Sequence, residues 1–312
     1  METEIRTEEL KQLELGVLCY IRDKCRENGL KYYLMYGTLI GAVRHKGFIP
    51  WDDDVDIAMF RADFMKLLSA IGADTGSHYA VLSMYNVPDY PFSLAKVVDT
   101  RTRLVQHGVI GTHEKLGAYV DIFLIDAVPD DDRAYDQLVR RVRTCSRRCY
   151  LSQRKLVLRK GQLVKDLCLA LVSLPYKLFC PASKAIRKLD RVSASYESTP
   201  TKRAGIFMDT FNQKESTLTR EQWADTVEME FEGEEFTAPA CYDELLRRTY
   251  GDYMQLPPKE QQVTHHDFDI TWRAREAERA GRRAGKRNLS NGCLSKRHPV
   301  SVHRCDHGAG VQ

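Results

Sequence analysis

Long apolar runs are missing from this 312-residue chain. No stretch of 18 or more apolar residues occurs, so an ordinary membrane-spanning helix is not expected. Cys-x-x-Cys is missing too, and the nine cysteines are scattered and odd in number. Neither a zinc ribbon nor a disulfide framework follows from them; reduced thiols in a cytoplasmic setting do. The first ten residues, METEIRTEEL, are acidic and lack the apolar centre of a signal peptide, so none is expected there. A strong charge of one sign is lacking as well, since 47 Lys and Arg stand against 43 Asp and Glu. That balance hides an asymmetry: from Thr271 onward ten basic residues face three acidic ones, giving +7 there and −3 elsewhere. Aromatic residues are sparse among the basic stretches and no binding motif shows, so no specific nucleic acid is expected as a partner.

The most informative stretch is Tyr36 to Met59, YGTLIGAVRHKGFIPWDDDVDIAM. It contains four aspartates in five positions, and Asp54 and Asp56 alternate with Val55 and Ile57. On a strand, period two would put both carboxylates on one face. Two unit charges about 4 Å apart at an effective dielectric near 20 repel by roughly 4 kcal/mol. Either one carboxylate is protonated or a cation lies between them. A hard cation with oxygen ligands suits such a pair, and Mg²⁺ commonly completes its shell with water and substrate phosphate. The stretch therefore suggests metal-assisted phosphoryl chemistry.

Other readings exist. A polar loop of solvated acids is the plainest, but the alternating apolar residues after Pro50-Trp51 argue against it. An EF-hand matches at Asp52, Asp54 and Asp56, then fails where Ile57 replaces the required Gly and Asp63 the bidentate Glu. The Asp-x-Asp of a sugar-nucleotide glycosyltransferase would need a βαβ half ahead of it, and only about fifty residues precede the motif here. A nucleotidyltransferase pattern fits better: a Gly-Thr turn at Gly37-Thr38, a short helix, a strand carrying Asp-apolar-Asp, and a third carboxylate on a later strand. Glycine tolerates close approach of a phosphate and a hydroxyl can donate to it.

Gly37 to Met59 resembles the signature of the LicD family, the phosphocholine and phosphoalditol transferases whose core is shared by the fukutin-related proteins. GAYVDIFLID (Gly117–Asp126) resembles the second block of that family, and Phe231–His266 its C-terminal block. The resemblance covers about residues 8–268. It implies an α/β (α+β) fold with a nucleotidyltransferase-like core and a mixed β-sheet. It also implies transfer of a phosphorylated alcohol, most simply phosphocholine, from a CDP-activated donor to a hydroxyl of a cell-surface glycan. The acceptor could be free or lipid-linked. Mg²⁺, or Mn²⁺ in its place, would be the cofactor. A nucleotidyltransferase releasing pyrophosphate, and a non-catalytic binding protein on the same fold, are the remaining alternatives.

Taken in order, residues 7 to 28 read as an amphipathic helix with Leu10, Leu13, Val17 and Ile21 inward, stopped by Asn28-Gly29. Its expected role is packing. Lys31–Tyr36 reads as a strand, Leu39–His45 as a short helix, Arg61–Ile71 as a helix, and Tyr79–Tyr85 and Phe92–Val98 as strands. Arg44 and His45 are either a solvated basic helix end or, as the resemblance implies, substrate-binding groups. Trp51 is expected to wedge the turn. Lys96, alone in an apolar strand, either snorkels or neutralises charge near a diphosphate. Asp99 is expected to cap a turn. Gly117–Ile125 alternates as a strand, which makes Asp121 the candidate third carboxylate, metal ligand and acceptor of a proton, and leaves Asp126 structural.

Arg140–Lys165 carries ten basic residues and no acids, and the apolar segment Leu163–Phe179 follows it. This suits either a solvated helical insertion at about 135–200 or peripheral contact through 140–180 with the inner, anionic face of a membrane. Ser183–Tyr196 continues as helix, Gly205–Phe211 as a short strand or loop, Phe231–Thr237 as a hairpin and Tyr242–Tyr250 as a helix. His265 and His266 are adjacent and lack a cysteine partner, so zinc is not expected. Residues 1–270 are expected to form the catalytic domain, and 271–312 a basic, disordered tail.

Overall fold

The computed structural model describes residues 3–107, 113–153, 163–208, 213–264 and 268–274. In chain order the elements are β1 (Thr3–Glu4), α1 (Thr7–Asn28), β2 (Tyr33–Leu34), α2 (Tyr36–Arg44), β3 (Asp56–Phe60), α3 (Arg61–Ala73), β4 (Tyr79–Leu82), β5 (Ala95–Asp99) and β6 (Thr102–Gln106). Then follow β7 (Tyr119–Val128), α4 (Asp132–Gln153), α5 (Leu163–Phe179), α6 (Ala182–Ser193), β8 (Arg203–Ile206), β9 (Leu218–Thr219), α7 (Arg220–Ala224), β10 (Thr226–Phe231), β11 (Glu234–Pro239), α8 (Tyr242–Tyr250) and β12 (Phe268–Trp272). The fold is α/β with a mixed sheet.

The main sheet runs β2-β3-β7-β5-β4. Among the described strands only β3 and β7 pair parallel; β2, β5 and β8 pair antiparallel to their neighbours. β7 is the centre. Its ten residues are all buried, with β3 along one edge and β5, then β8, along the other. Helices α1 and α3 pack on this sheet, and α4 pairs with α6. Seven described cysteines are free thiols, as expected from their scatter.

Local chemistry sets the boundaries. α1 ends at Gly29, whose φ of +63° lets the Leu30 amide reach back to Cys25 O at 2.9 Å. The β10–β11 hairpin turns through Glu232 and Gly233, both at positive φ, as a two-residue primed turn requires. Its tip is docked on the signature loop: the Glu232 amide donates to Lys46 O, and Glu232 Oε1 accepts from the Phe48 amide at 3.0 Å. Lys46 itself sits at φ +59° to make this bend.

Several boundaries differ from the sequence reading. β2 and β4 are shorter than expected and β5 begins later, at Ala95; Tyr36, expected to end the first strand, instead opens α2. Gly37 and Thr38 form no turn before the helix; α2 begins at Tyr36, so both lie in its first turn. β3 begins at Asp56, so Asp54 lies in the preceding loop and not on the strand. Thr271 and Trp272, expected to open the tail, belong to β12, paired with Arg103 and Thr102 of β6 and with β1. The alternation of Ile270 and Trp272 was masked by the basic composition that follows. His265, His266, the end of Gly205–Phe211 and the tail from 275 lie outside the described residues.

Candidate functional site

Three strands bring three charged residues to one level of the sheet. Asp56 of β3 is the register partner of Asp121 of β7, and Asp121 is the register partner of Lys96 of β5. Lys96 is 4 % exposed, and its Nζ lies 2.6 Å from Asp121 Oδ1 and 3.6 Å above the Tyr119 ring. The lysine is thus buried against the acid and does not snorkel. Asp126, five residues along the same strand, falls on the opposite face. There it takes a bidentate pair from Arg61 at 2.6 and 2.8 Å, and Arg61 also reaches Asp190 of α6. Asp126 is therefore structural, tying α3, β7 and the helical segment together.

The backbone of Asp56 is clamped by the junction of β2 and α2. Its amide donates to Thr38 Oγ1 at 2.8 Å, and its carbonyl accepts from the Met35 amide at 3.0 Å. The next residue back, Val55, accepts from the Asp121 amide. Thr38 is buried, so its hydroxyl positions Asp56. Gly37 lies close under the signature loop: a Cβ there would come 2.6 Å from Asp52 Oδ2, the movable tip of that side chain. Tyr36 enters α2 at φ +48°, a left-handed conformation uncommon for an aromatic residue and of the kind found at constrained sites.

The site is electrically frustrated. Burial, and then the charges of Asp54, Asp121 and Asp52, push the Asp56 carboxyl well above the usual range, with Lys96 pulling the other way. Glu14 of α1 responds in the same manner. It is 1 % exposed, its Oε2 has no hydrogen-bond partner, and burial followed by Asp54, Asp53, Asp52 and Asp121 pushes its carboxyl well above the ordinary range. Such a set of oxygens suits a hard cation. Among the described residues, no three His, Cys, Asp or Glu side chains are already gathered at ligand distance.

Glu14 was missed in the sequence, although a signal was there. It stands at i+4 from Leu10 and i−3 from Val17, inside the apolar stripe, where Leu13 was expected and is only half-buried. Lys11, one turn earlier, is also buried and donates to Pro50 O at 3.2 Å, fastening α1 to the signature loop. An acid and a base embedded in the buried stripe of a helix mark something other than packing.

Arg44 and His45 lie at the far end of α2, about 9 Å along its axis from Thr38. Arg44 donates to Tyr253 O at 2.6 Å and to His45 Nε2 at 2.9 Å. Burial, then the Arg44 charge, lowers the His45 pKa. Trp51 is half-buried, its ring edge-on to His45 at 6.4 Å between centroids, consistent with a wedge. Asp99 caps its turn as expected, accepting from the Arg101 amide. A cleft beside Asp53, lined by Ile5, Thr7, Thr264 and Phe268, opens between the chain's first residues and β12.

Residues 29–131 match the family described as "LicD/FKTN/FKRP, nucleotidyltransferase domain". The chain is 31% identical over 254 residues to "Lipopolysaccharide cholinephosphotransferase LicD" of Haemophilus influenzae, a match covering 81% of this chain and 92% of that protein. It is 43% identical over 49 residues to "Ribitol 5-phosphate transferase FKRP" of Homo sapiens, covering 16% of this chain and 10% of that one. With Asp56, Asp121 and Lys96 aligned across three strands inside the matched region, and a relative of this identity spanning most of the sequence, the chain belongs to the LicD family of phosphotransferases.

Proposed function

We propose that this enzyme transfers phosphocholine from CDP-choline to a hydroxyl of a cell-surface glycan, lipopolysaccharide being the acceptor that its Haemophilus relative suggests. The observation that carries the reading is the register of Asp56, Asp121 and Lys96, which sets two carboxylates and a buried cation at one point of the sheet. Asp54, Asp56 and Asp121 would hold Mg²⁺, or Mn²⁺. When bound, the ion supplies charge neutralisation at the donor diphosphate and polarises the reacting phosphorus.

The remaining work falls to the chain itself. Thr38 fixes Asp56 through the backbone amide. Gly37, in the first turn of α2, allows the phosphate to approach the start of that helix. Lys96 offsets charge that develops on the transferred phosphate. Arg44 and His45, one helix length away, suit the nucleotide end of the donor. The acceptor oxygen forms the new P–O bond as the bond to CMP breaks, and its proton passes to Asp121.

The test is incubation with Mg²⁺ and separate CDP-choline, CDP-ribitol and CDP-glycerol, with and without a lipopolysaccharide acceptor. CMP release from CDP-choline alone, dependent on both metal and acceptor, is the expected result. Release from another donor would reassign the alcohol. Pyrophosphate as the product, or silence across the panel with folded protein, would overturn the proposal.

A further inference from the structure

Helix α5 is inside out. Its polar Asp166 and Ser173 are 1 % and 2 % exposed, while Leu171 is 68 % and Phe179 83 % exposed. Leu167, Leu171, Leu174 and Leu178 recur at four- and three-residue spacing, so the exposed residues form one apolar stripe. The helix rests on α4 with its polar side inward. An amphipathic helix in water buries the other face.

The segment is also rooted at the site. Gln153, the last residue of α4, donates to Pro91 O, and Ser183, at the start of α6, donates to Asp89 Oδ1 at 3.1 Å. Both ends of the excursion that carries α5 are thus pinned to one short loop. That loop leads within a few residues into β5 and Lys96.

Its charge is one-sided. Residues 137–189 contain fourteen Lys and Arg and one acid, the buried Asp166. On α4, Arg140, Arg141, Arg143 and Arg147 are exposed. An apolar stripe beside a dense positive surface is complementary to an anionic lipid headgroup layer over hydrocarbon. No described helix is long and apolar enough to cross a membrane, and the 17 residues of α5 span only about 25 Å. The helix is therefore suited to lie in the interface.

We propose that the leucine face of α5 docks on an anionic membrane surface and so presents the Lys96–Asp121 site to an acceptor held in that membrane. The acceptor half of this statement rests on the proposed transfer; the docking half does not. Membrane seating explains why the leucines face outward, why the flanking helices are basic, and why both roots lie beside β5.

The experiment is co-sedimentation of the full chain with phosphatidylcholine vesicles, with and without about one-third phosphatidylglycerol. The chain should pellet with the anionic vesicles and remain in solution with the neutral ones. The double variant Leu171→Glu/Leu174→Glu should bind at least about tenfold less while keeping its circular dichroism spectrum. It should also keep transfer to a lipid-free glycan while losing transfer to a vesicle-embedded one. Arg140→Glu/Arg147→Glu, which leaves α5 intact, should weaken vesicle binding independently. Wild-type protein left in the supernatant, or a leucine variant that binds as well as wild type, would overturn docking. So would sedimentation velocity showing that the stripe instead pairs two copies, with no vesicle binding. Vesicle binding without transfer to any acceptor would sink the proposed function and leave docking standing.

Discussion

Lys96 Nζ sits 2.6 Å from Asp121 Oδ1, joined across β5 and β7 in a buried ion pair. Removing one partner of such a pair strands the other charge. Lys96→Met should cost about 3–5 kcal/mol in urea denaturation without divalent metal. Transfer should fall by roughly 100-fold or more. The double variant Lys96→Met/Asp121→Leu should regain most of the stability and stay inactive. A single Lys96→Met variant as stable and active as wild type would remove the pair from both roles.

The raised carboxyls give a pH dependence of defined sign. Burial and neighbouring acids lift Asp56 and Glu14 above their unfolded values. The folded chain then binds more protons than the unfolded one, so this contribution is fully present below the ordinary carboxylate range near about 4. It is lost as pH rises through the raised values. Asp56→Asn should therefore melt higher than wild type in EDTA at pH 7, and the gap should close toward acid. The same variant should be inactive. A lower melting temperature for Asp56→Asn in EDTA at pH 7 would contradict this.

Glu14 brings an unpartnered oxygen to the edge of the aspartate cluster. Glu14→Leu should raise the melting temperature of the metal-free protein, since it replaces a buried polar group with an unpartnered oxygen by an apolar one. It should also weaken Mg²⁺ binding by about 10–100-fold, as losing an outer partner of a metal site does. Glu14→Gln should fall between wild type and Glu14→Leu. Titrating the melting temperature with MgCl₂ measures both effects; an unchanged midpoint would make Glu14 structural only.

Two glycines should separate function from folding. A Cβ at Gly37 meets the tip of the Asp52 side chain, which can move aside. Gly37→Ala should change stability by less than about 1 kcal/mol yet reduce transfer, because Asp52 is displaced. A Cβ at Gly117 lies 2.2 Å from Asp99 O, a backbone atom that cannot yield. Gly117→Ala should cost about 1–3 kcal/mol or more by denaturant titration. Equal stability losses for the two would refute the distinction.

The sequence was enough for much of this. Periodicity placed α1 and α3, the residues from Tyr242 to Gly251 marked α8, and a glycine marked the hairpin bend. Asp-Val-Asp-Ile with a later Val-Asp-Ile placed Asp56 and Asp121 on strands, because alternation of charge and apolar side chain is a local property; it placed Asp54 there too, which lies in the loop before β3. It was also enough to set Asp126 apart as structural. Boundaries were less legible. Gly37-Thr38 reads as a turn by propensity, but packing against the β2–β3 corner draws both residues into α2.

What the chain alone determined, then, is which residues carry charge where an apolar one would be expected: Asp56, Asp121, Lys96 and, on closer inspection, Glu14. Tertiary structure decided which of them meet. Strand order is not written in any local window, so only the pairing β3-β7-β5 shows that residues 56, 96 and 121 share one level. Only the packing of α1 carries Glu14 to the same cluster, and only the packing of α4 turns the leucines of α5 outward. Side-chain periodicity is local physics, whereas partner choice depends on contacts between residues far apart in sequence, and those exist only once the sheet has formed.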